Sequence, residues 1–134
     1  MLKRNKFLVM ILALTVPFAC IGCSGGEQSN SIVYEQISGA EAKALMERES
    51  GYIIIDARTQ SEYDDGHIPG AILIPEYEIA SRAEKELSDK NQLILVYCRS
   101  GRRSKIAAET LVKLGYTNVK EFGGIIDWEY EIVK

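Results

Sequence analysis

The stretch "VYCRSGRRSK", Val96 to Lys105, holds the one cysteine that lies beyond the first 23 residues of this 134-residue chain. Three arginines and two serines follow this residue, Cys98, within six positions. A cysteine is a nucleophile as its thiolate, and backbone amides or positive charge nearby lower a thiol pKa from about 8.5 to about 3.5–7.5. These residue types and their spacing predict a nucleophilic thiolate in a site that holds an anion.

The elements on either side of this stretch place Cys98 at one edge of a sheet. The apolar run "LILVY" (93–97) predicts a buried strand directly before Cys98, and "SKIAAETLVKLG" (104–115) predicts a helix after the turn. Gly101 allows a positive φ, and the helix start adds unpaired N–H groups and the positive end of its dipole. Such a turn binds anions. The alternative is an inert, buried cysteine beside solvated arginines.

Further strands and helices alternate along the chain. Strands are predicted at "YIIID", "AILIP" and "NVKEF", helices at "SGAEAKALMERES" and "EYEIASRAEKELS", and one or two closing helical turns at "GIIDWEYEIV". This alternation predicts an α/β domain with a mainly parallel central sheet flanked by helices. Ligands bind beyond the carboxyl ends of the strands in such sheets, which is where Cys98 lies.

Three further residues are candidates for supporting the site. Asp56 and Arg58 follow the strand "YIII", where we expect a hydrogen-bonded, partly buried pair that fixes the edge of the site. His67, the one histidine, lies between two turn glycines in "GHIPG", so a structural role is favoured over a Cys–His catalytic pair. One inner thiol, one histidine and scattered carboxylates do not have the spacing of a metal site.

The first 23 residues have the pattern of an export signal. A basic start, "MLKRNK", precedes an apolar run that is shorter than the ~20 residues a membrane-spanning helix needs. Small residues then lead to a cysteine. The ending "CIGC" resembles the lipobox of bacterial lipoproteins, which implies lipidation of Cys23, with Cys20 as the second candidate. The alternatives are an ordinary cleaved signal and an uncleaved anchor. We expect a signal at 1–23, a flexible tether at 24–31 and one domain at 32–134.

Charge limits the partners of the exported protein. The chain has a net charge of −3, and loss of the three basic residues in 1–23 leaves 13 basic and 19 acidic residues, a net charge of −6. This balance argues against nucleic acid as a partner. We expect a protein held by a lipid at the outer face of the bacterial cell membrane or in the periplasm. Sequence identifies no protein partner.

Three segments in order resemble the rhodanese family. "CRSGRRS" is similar to its active-site loop, "IDARTQSEYDDGHIPGAILIP" to its upstream signature, and "FGGIIDW" to a segment near its end. The resemblance implies a three-layer rhodanese-like domain in which Cys98 carries sulfur and Arg103 closes the loop. It also implies that His67 is a conformational residue. The loop residues implied to surround and bind the substrate are Arg99, Ser100, Gly101, Arg102 and Arg103.

The family's chemistry implies a sulfurtransferase that needs no cofactor. Cys98 would take sulfur from a small anionic donor such as thiosulfate and pass it, as a persulfide, to cyanide or a thiol. One alternative is a membrane-tethered, non-catalytic sulfur carrier or binding module. Another is a cysteine-dependent phosphatase, but four residues separate Cys98 from Arg103, and that loop is one residue short for phosphate.

Overall fold

A five-stranded sheet organises residues 33–134, which are the residues that the computed structural model describes. The predicted signal, Cys20, Cys23 and the tether lie outside the described residues. The elements, in chain order, are β1 (Glu35–Gln36), α1 (Gly39–Arg48), β2 (Ile53–Asp56), α2 (Gln60–Asp65), β3 (Ala71–Leu73), α3 (Ile79–Glu86), β4 (Ile94–Cys98), α4 (Arg102–Lys113) and β5 (Val119–Gly124).

The strands lie in the order β1-β5-β4-β2-β3, and all four pairs of neighbours are parallel. β4 lies at the centre, and all five of its residues are buried, as its continuous apolar run predicts. Ile53 to Asp56 on β2 pair with Ile94 to Tyr97 on β4, so the carboxyl ends of both strands reach the same edge. The predicted α/β fold with a parallel central sheet is confirmed.

The two faces of the sheet bury separate cores. Successive strand residues point to opposite faces, so Ile54 and Leu95 lie on one side of the sheet while Ile55 and Val96 lie on the other. The first core includes Ala42 from α1, and the second includes residues of α3 and α4. This arrangement gives three layers. Within residues 33–134, none of the helices has the length and apolar character needed to span a bilayer.

Two parts of the chain differ from the sequence expectation. α2 was not predicted, although Thr59 caps it and Glu62 completes a capping box. The closing segment forms a single 3-10 turn, Ile125–Asp127, instead of one or two helical turns. The chain then runs on to Val133, whose backbone forms an antiparallel bridge with His67. Ser38 and Glu41 form a capping box at the start of α1.

Candidate active site

Cys98 is the last residue of β4, and its side chain is buried at the base of the turn that leads into α4. The backbone N–H of Gly101 donates to Cys98 Sγ at 3.0 Å. Gly101 has a φ of 97°, a left-handed conformation that favours glycine, and α4 begins at the next residue. The turn thus directs backbone N–H groups and the start of a helix at the sulfur.

These contacts make Cys98 more acidic than an ordinary thiol. Burial by itself raises the pKa of Cys98, because a charged sulfur loses its hydration. Hydrogen bonds from the Ser104 side chain and from the amides of Ser104, Gly101 and Ser100 outweigh burial, so the pKa lies below its usual value. The site therefore favours the thiolate, the nucleophilic form of the residue.

The end of β5 packs directly against the turn. The pairing of β4 with β5 shifts between Val96 and Cys98, and within this irregularity Gly123 has a φ of 86°. A Cβ atom on Gly124 would lie 2.1 Å from the carbonyl oxygen of Arg99. The same carbonyl accepts a hydrogen bond from the N–H of Ile126 at 3.3 Å. The irregular end of β5 thus allows two backbones to meet where a side chain would collide.

A buried carboxylate, Glu121, lies behind the turn. Its Oε1 accepts hydrogen bonds from the Ser104 hydroxyl at 2.6 Å and from the Gly123 N–H at 2.8 Å. A hydroxyl carries one hydrogen, so Glu121, the Gly101 carbonyl oxygen at 3.1 Å and the Cys98 sulfur compete for that of Ser104. Glu121 is not among the site residues predicted from the sequence. The available signal was an acidic residue two positions after Val119, on the buried face of a strand.

Arg103 is held by Glu62 of α2. Its two terminal nitrogens donate to the two carboxylate oxygens, each at 2.8 Å. Hydrogen bonds from Arg103 hold the pKa of Glu62 down at about 2, and the same contacts raise the pKa of Arg103. The guanidinium expected to serve the substrate is thus directed toward a protein carboxylate, whereas Arg99 and Arg102 are exposed. Glu62 is not among the site residues predicted from the sequence. The available signal was the spacing of Thr59 and Glu62, which is that of a capping box.

Asp56 and Arg58 form a buried ion pair beside the turn. The Arg58 guanidinium donates to both Asp56 oxygens, at 2.6 Å for the shortest contact, and to the carbonyl of Gly66 at 2.7 Å. The hydroxyl of Tyr97 also donates to Asp56, at 2.6 Å, and accepts from the N–H of Ile68. Burial, and then the negative charge of Asp56, raise the pKa of Tyr97. This network joins the ends of β2 and β4.

His67 lies away from the sulfur contacts. Its ring stacks on Tyr63 with centroids 3.7 Å apart, and its Nδ1 lies 2.9 Å from the Tyr63 carbonyl oxygen. These contacts fasten α2 to the loop that follows it. Within residues 33–134, no three His, Cys, Asp or Glu side chains group in an arrangement that could hold a metal ion.

Comparison with known protein families identifies the family to which this site belongs. Residues 38–131 match the model of the rhodanese-like domain. The chain belongs to the rhodanese-like family. Relatives within this family include the thiosulfate sulfurtransferase PspE of Escherichia coli, 42% identical over 73 residues, which are 54% of this chain and 70% of PspE. The thiosulfate sulfurtransferase GlpE of Coxiella burnetii is 33% identical over 99 residues, 73% of this chain and 90% of GlpE.

Solved structures of rhodanese-like proteins have the same fold. A structure described as rhodanese with anions from E. coli has a TM-score of 0.59 and 39% identity, and the match covers 63% of this chain and 99% of that chain. The rhodanese-like domain of an Anabaena protein has a TM-score of 0.66 and 31% identity, with 72% and 74% covered. The prediction that this rhodanese-like chain is an enzyme of the sulfurtransferase class is confirmed.

Proposed function

We propose that the enzyme carries sulfane sulfur as a persulfide on Cys98, taking it from thiosulfate or a persulfide and passing it to cyanide or a thiol. The observation that carries the proposal is the buried Cys98 sulfur, with a lowered pKa, at the base of a turn lined with N–H groups. Two relatives named as thiosulfate sulfurtransferases support the choice of donor.

The proposed reaction has two steps, and each is a nucleophilic attack on a sulfur atom that needs no cofactor. The Cys98 thiolate attacks the outer sulfur of thiosulfate, a new S–S bond forms, and sulfite leaves with the electrons of the old bond. Cyanide or an acceptor thiolate then attacks the outer sulfur of the persulfide, and the Cys98 thiolate is released. The N–H groups of the turn stabilise negative charge on sulfur in both steps.

Mass spectrometry after exposure to thiosulfate tests the proposal. We expect one extra sulfur on the peptide that contains Cys98, and its loss when cyanide is added. A Cys98→Ser variant, which keeps the amides of the turn, should fold normally by circular dichroism and gain no sulfur. Sulfur found elsewhere, or near-normal transfer by Cys98→Ser, would refute the assignment. Persulfide that forms but passes to neither cyanide nor small thiols would indicate a non-catalytic sulfur carrier instead.

The proposal includes a location, which rests on residues 1–31 of the sequence. A lipid on Cys23 anchors the mature enzyme at the outer face of the cell membrane or in the periplasm. The basic start, the apolar run and the lipobox-like ending support this placement. A Cys23→Ser variant should lose partitioning into a detergent phase, while Cys20→Ser should keep it. The opposite result would assign the lipid to Cys20, and partitioning retained by both variants with the signal cleaved would show that another anchor is responsible.

A further inference from the structure

A small cleft lies beside the Cys98 turn. Its volume is about 280 Å³, just below the ~300–1,000 Å³ typical of ligand pockets. A ligand the size of a single amino acid suits such a space better than a large cofactor does. The cleft is lined by Arg58, Glu62, Asp65, Arg99, Ile125 and Ile126.

Two of the four charged side chains that line the cleft are already paired. Arg58 donates to Asp56 and to a backbone carbonyl, and Glu62 accepts both hydrogen bonds of Arg103. Within residues 33–134, the side chains of Asp65 and Arg99 make no hydrogen bond and no ion pair, and both are exposed. The cleft therefore offers a ligand one free negative charge and one free positive charge.

The remaining lining, Ile125 and Ile126, is apolar, and it contacts the backbone of the turn that follows Cys98. Ile126 is 62% exposed, which leaves its side chain open to a ligand. The N–H of Ile126 donates to the carbonyl of Arg99, the residue that follows Cys98, so this wall is fastened to the turn. A ligand in the cleft would lie next to the turn that holds the Cys98 sulfur.

This distribution of charge fits one class of acceptor. A dianion would meet one free cation and one free carboxylate, so attraction and repulsion would offset one another. A zwitterion satisfies both groups, and a short methylene chain can pack on the two isoleucines. We propose that the cleft binds a small amino-acid thiol such as cysteine as the sulfur acceptor, with Arg99 holding its carboxylate and Asp65 its ammonium group. This inference rests on the proposed function, because it names the acceptor of the same persulfide.

The transfer step balances without another reagent. The thiolate of the bound amino acid attacks the outer sulfur of the Cys98 persulfide, forming one S–S bond while the bond to Cys98 Sγ breaks. Cys98 leaves as a thiolate with the electron pair of that bond, and the acceptor leaves as an amino-acid persulfide. One negative charge is present before and after the step. The outer sulfur keeps its hydrogen as it moves to the acceptor.

Three related thiols separate the two charged contacts. Cysteine carries both charges, 3-mercaptopropionate lacks the ammonium group, and cysteamine lacks the carboxylate. Full-length protein is first loaded with sulfur from thiosulfate, and the rate at which each thiol discharges the Cys98 persulfide is then measured. Each variant is compared with the wild type for the same thiol, so differences in intrinsic thiol reactivity cancel.

Asp65→Asn should slow discharge by cysteine and by cysteamine about two- to fivefold, the effect of losing one exposed ion pair. Discharge by 3-mercaptopropionate should be unchanged or faster. The matched control is Asp64→Asn, which removes the same charge from the neighbouring exposed residue outside the cleft lining and should change none of the three rates. Arg99→Gln should give the reverse pattern, slowing cysteine and 3-mercaptopropionate but not cysteamine.

Equal changes for all three thiols in both cleft variants would overturn the inference, as would equal effects of the two aspartate substitutions. Circular dichroism identifies a variant that does not fold, in which case the other cleft variant decides. Failure of the wild type to gain sulfur on Cys98 would instead contradict the proposed function. The two failures are distinguishable because loading is measured before any acceptor is added.

Discussion

At the scale of single residues, Cys98 depends on hydrogen bonds for its low pKa. Burial opposes ionisation of the sulfur, and the Ser104 side chain is the first of the groups that counteract it. The backbone amides of the turn contribute as well, but a substitution of a side chain leaves them in place. Removal of the Ser104 hydroxyl is therefore expected to raise the pKa of Cys98.

Ser104→Ala should move the pH profile of Cys98 alkylation upward by about one pH unit, because a hydrogen bond to a charged group contributes roughly 1.5 kcal/mol or more. The rate of reaction with iodoacetamide, followed by mass spectrometry of the Cys98 peptide, measures this profile. Ser100→Ala is the control, since Ser100 contributes its backbone amide, and its profile should match the wild type. Identical profiles for all three proteins would show that the amides alone set the thiolate.

Some residues of the site can be predicted from the sequence, and others cannot. Cys98, Asp56 and Arg58 stand out because polar or reactive groups directly follow apolar strands, and the turn around Cys98 has a local composition that can be read. Glu62 and Glu121 act through partners 41 and 17 positions away along the chain. No local pattern indicates such pairs, because they arise only when α2 and β5 pack against the start of α4.

At the scale of elements, the active-site turn depends on its contact with β5. The closest approach is between Gly124 and the Arg99 carbonyl, where both partners are backbone and neither can rotate away. Any side chain at position 124 must separate the strand from the turn. The geometry of the turn is therefore fixed by a neighbouring strand as well as by its own residues.

Gly124→Ala should destabilise the fold by about 3 kcal/mol or more and slow persulfide formation, because overpacking against backbone forces the strand to shift. Chemical denaturation and loading of Cys98 from thiosulfate measure the two effects. Gly39→Ala, at the start of α1, is the control, since its added Cβ would meet Trp128 at an ordinary 3.5 Å. A Gly124→Ala protein as stable and as active as the control would contradict the close approach.

Elements with their own hydrophobic period could be predicted, and elements defined by tertiary contact could not. β2, β4 and α4 follow apolar runs or helical spacing closely. α2 has six residues and none of them is buried, so it shows no apolar face in the sequence. The chain after Trp128 is extended because Val133 pairs with His67, a partner 66 positions earlier. Short segments of this kind take their conformation from their neighbours.

At the scale of the whole molecule, the ion pair between Glu62 and Arg103 links stability to acid pH. Both side chains are about three-quarters buried. Hydrogen bonds from Arg103, with further hydrogen bonds from Thr59, lower the pKa of Glu62 from about 4.5 to about 2 in the folded chain. A carboxylate with a lowered folded pKa contributes stability above its unfolded pKa, and that contribution is lost as pH falls through the folded value.

Glu62→Gln should therefore lower the free energy of unfolding by about 1–2 kcal/mol above pH ~5, after allowance for solvent screening. The difference from the wild type should shrink between pH ~4.5 and 2 and disappear below that range. Glutamine still completes the capping box of α2, so the ion pair is the interaction lost. Urea denaturation across this pH range measures the difference. Glu41→Gln, in the capping box of α1, is the control, and an equally large loss there would assign the effect to capping.

The parallel direction of every strand pair places the start of β1 and Cys98 at opposite edges of the sheet. Residues 33 and 34 lead into the amino end of β1, whereas Cys98 lies at the carboxyl end of β4. The sheet therefore separates the first described residues of the domain from its reactive side, by a strand length of about 17 Å for five residues. A domain tethered through its amino terminus can present the Cys98 turn outward, away from the bilayer. Soluble donors and acceptors would then reach the sulfur from the aqueous side, and the proposed lipid anchor would keep the enzyme at a surface while the Cys98 turn stays accessible.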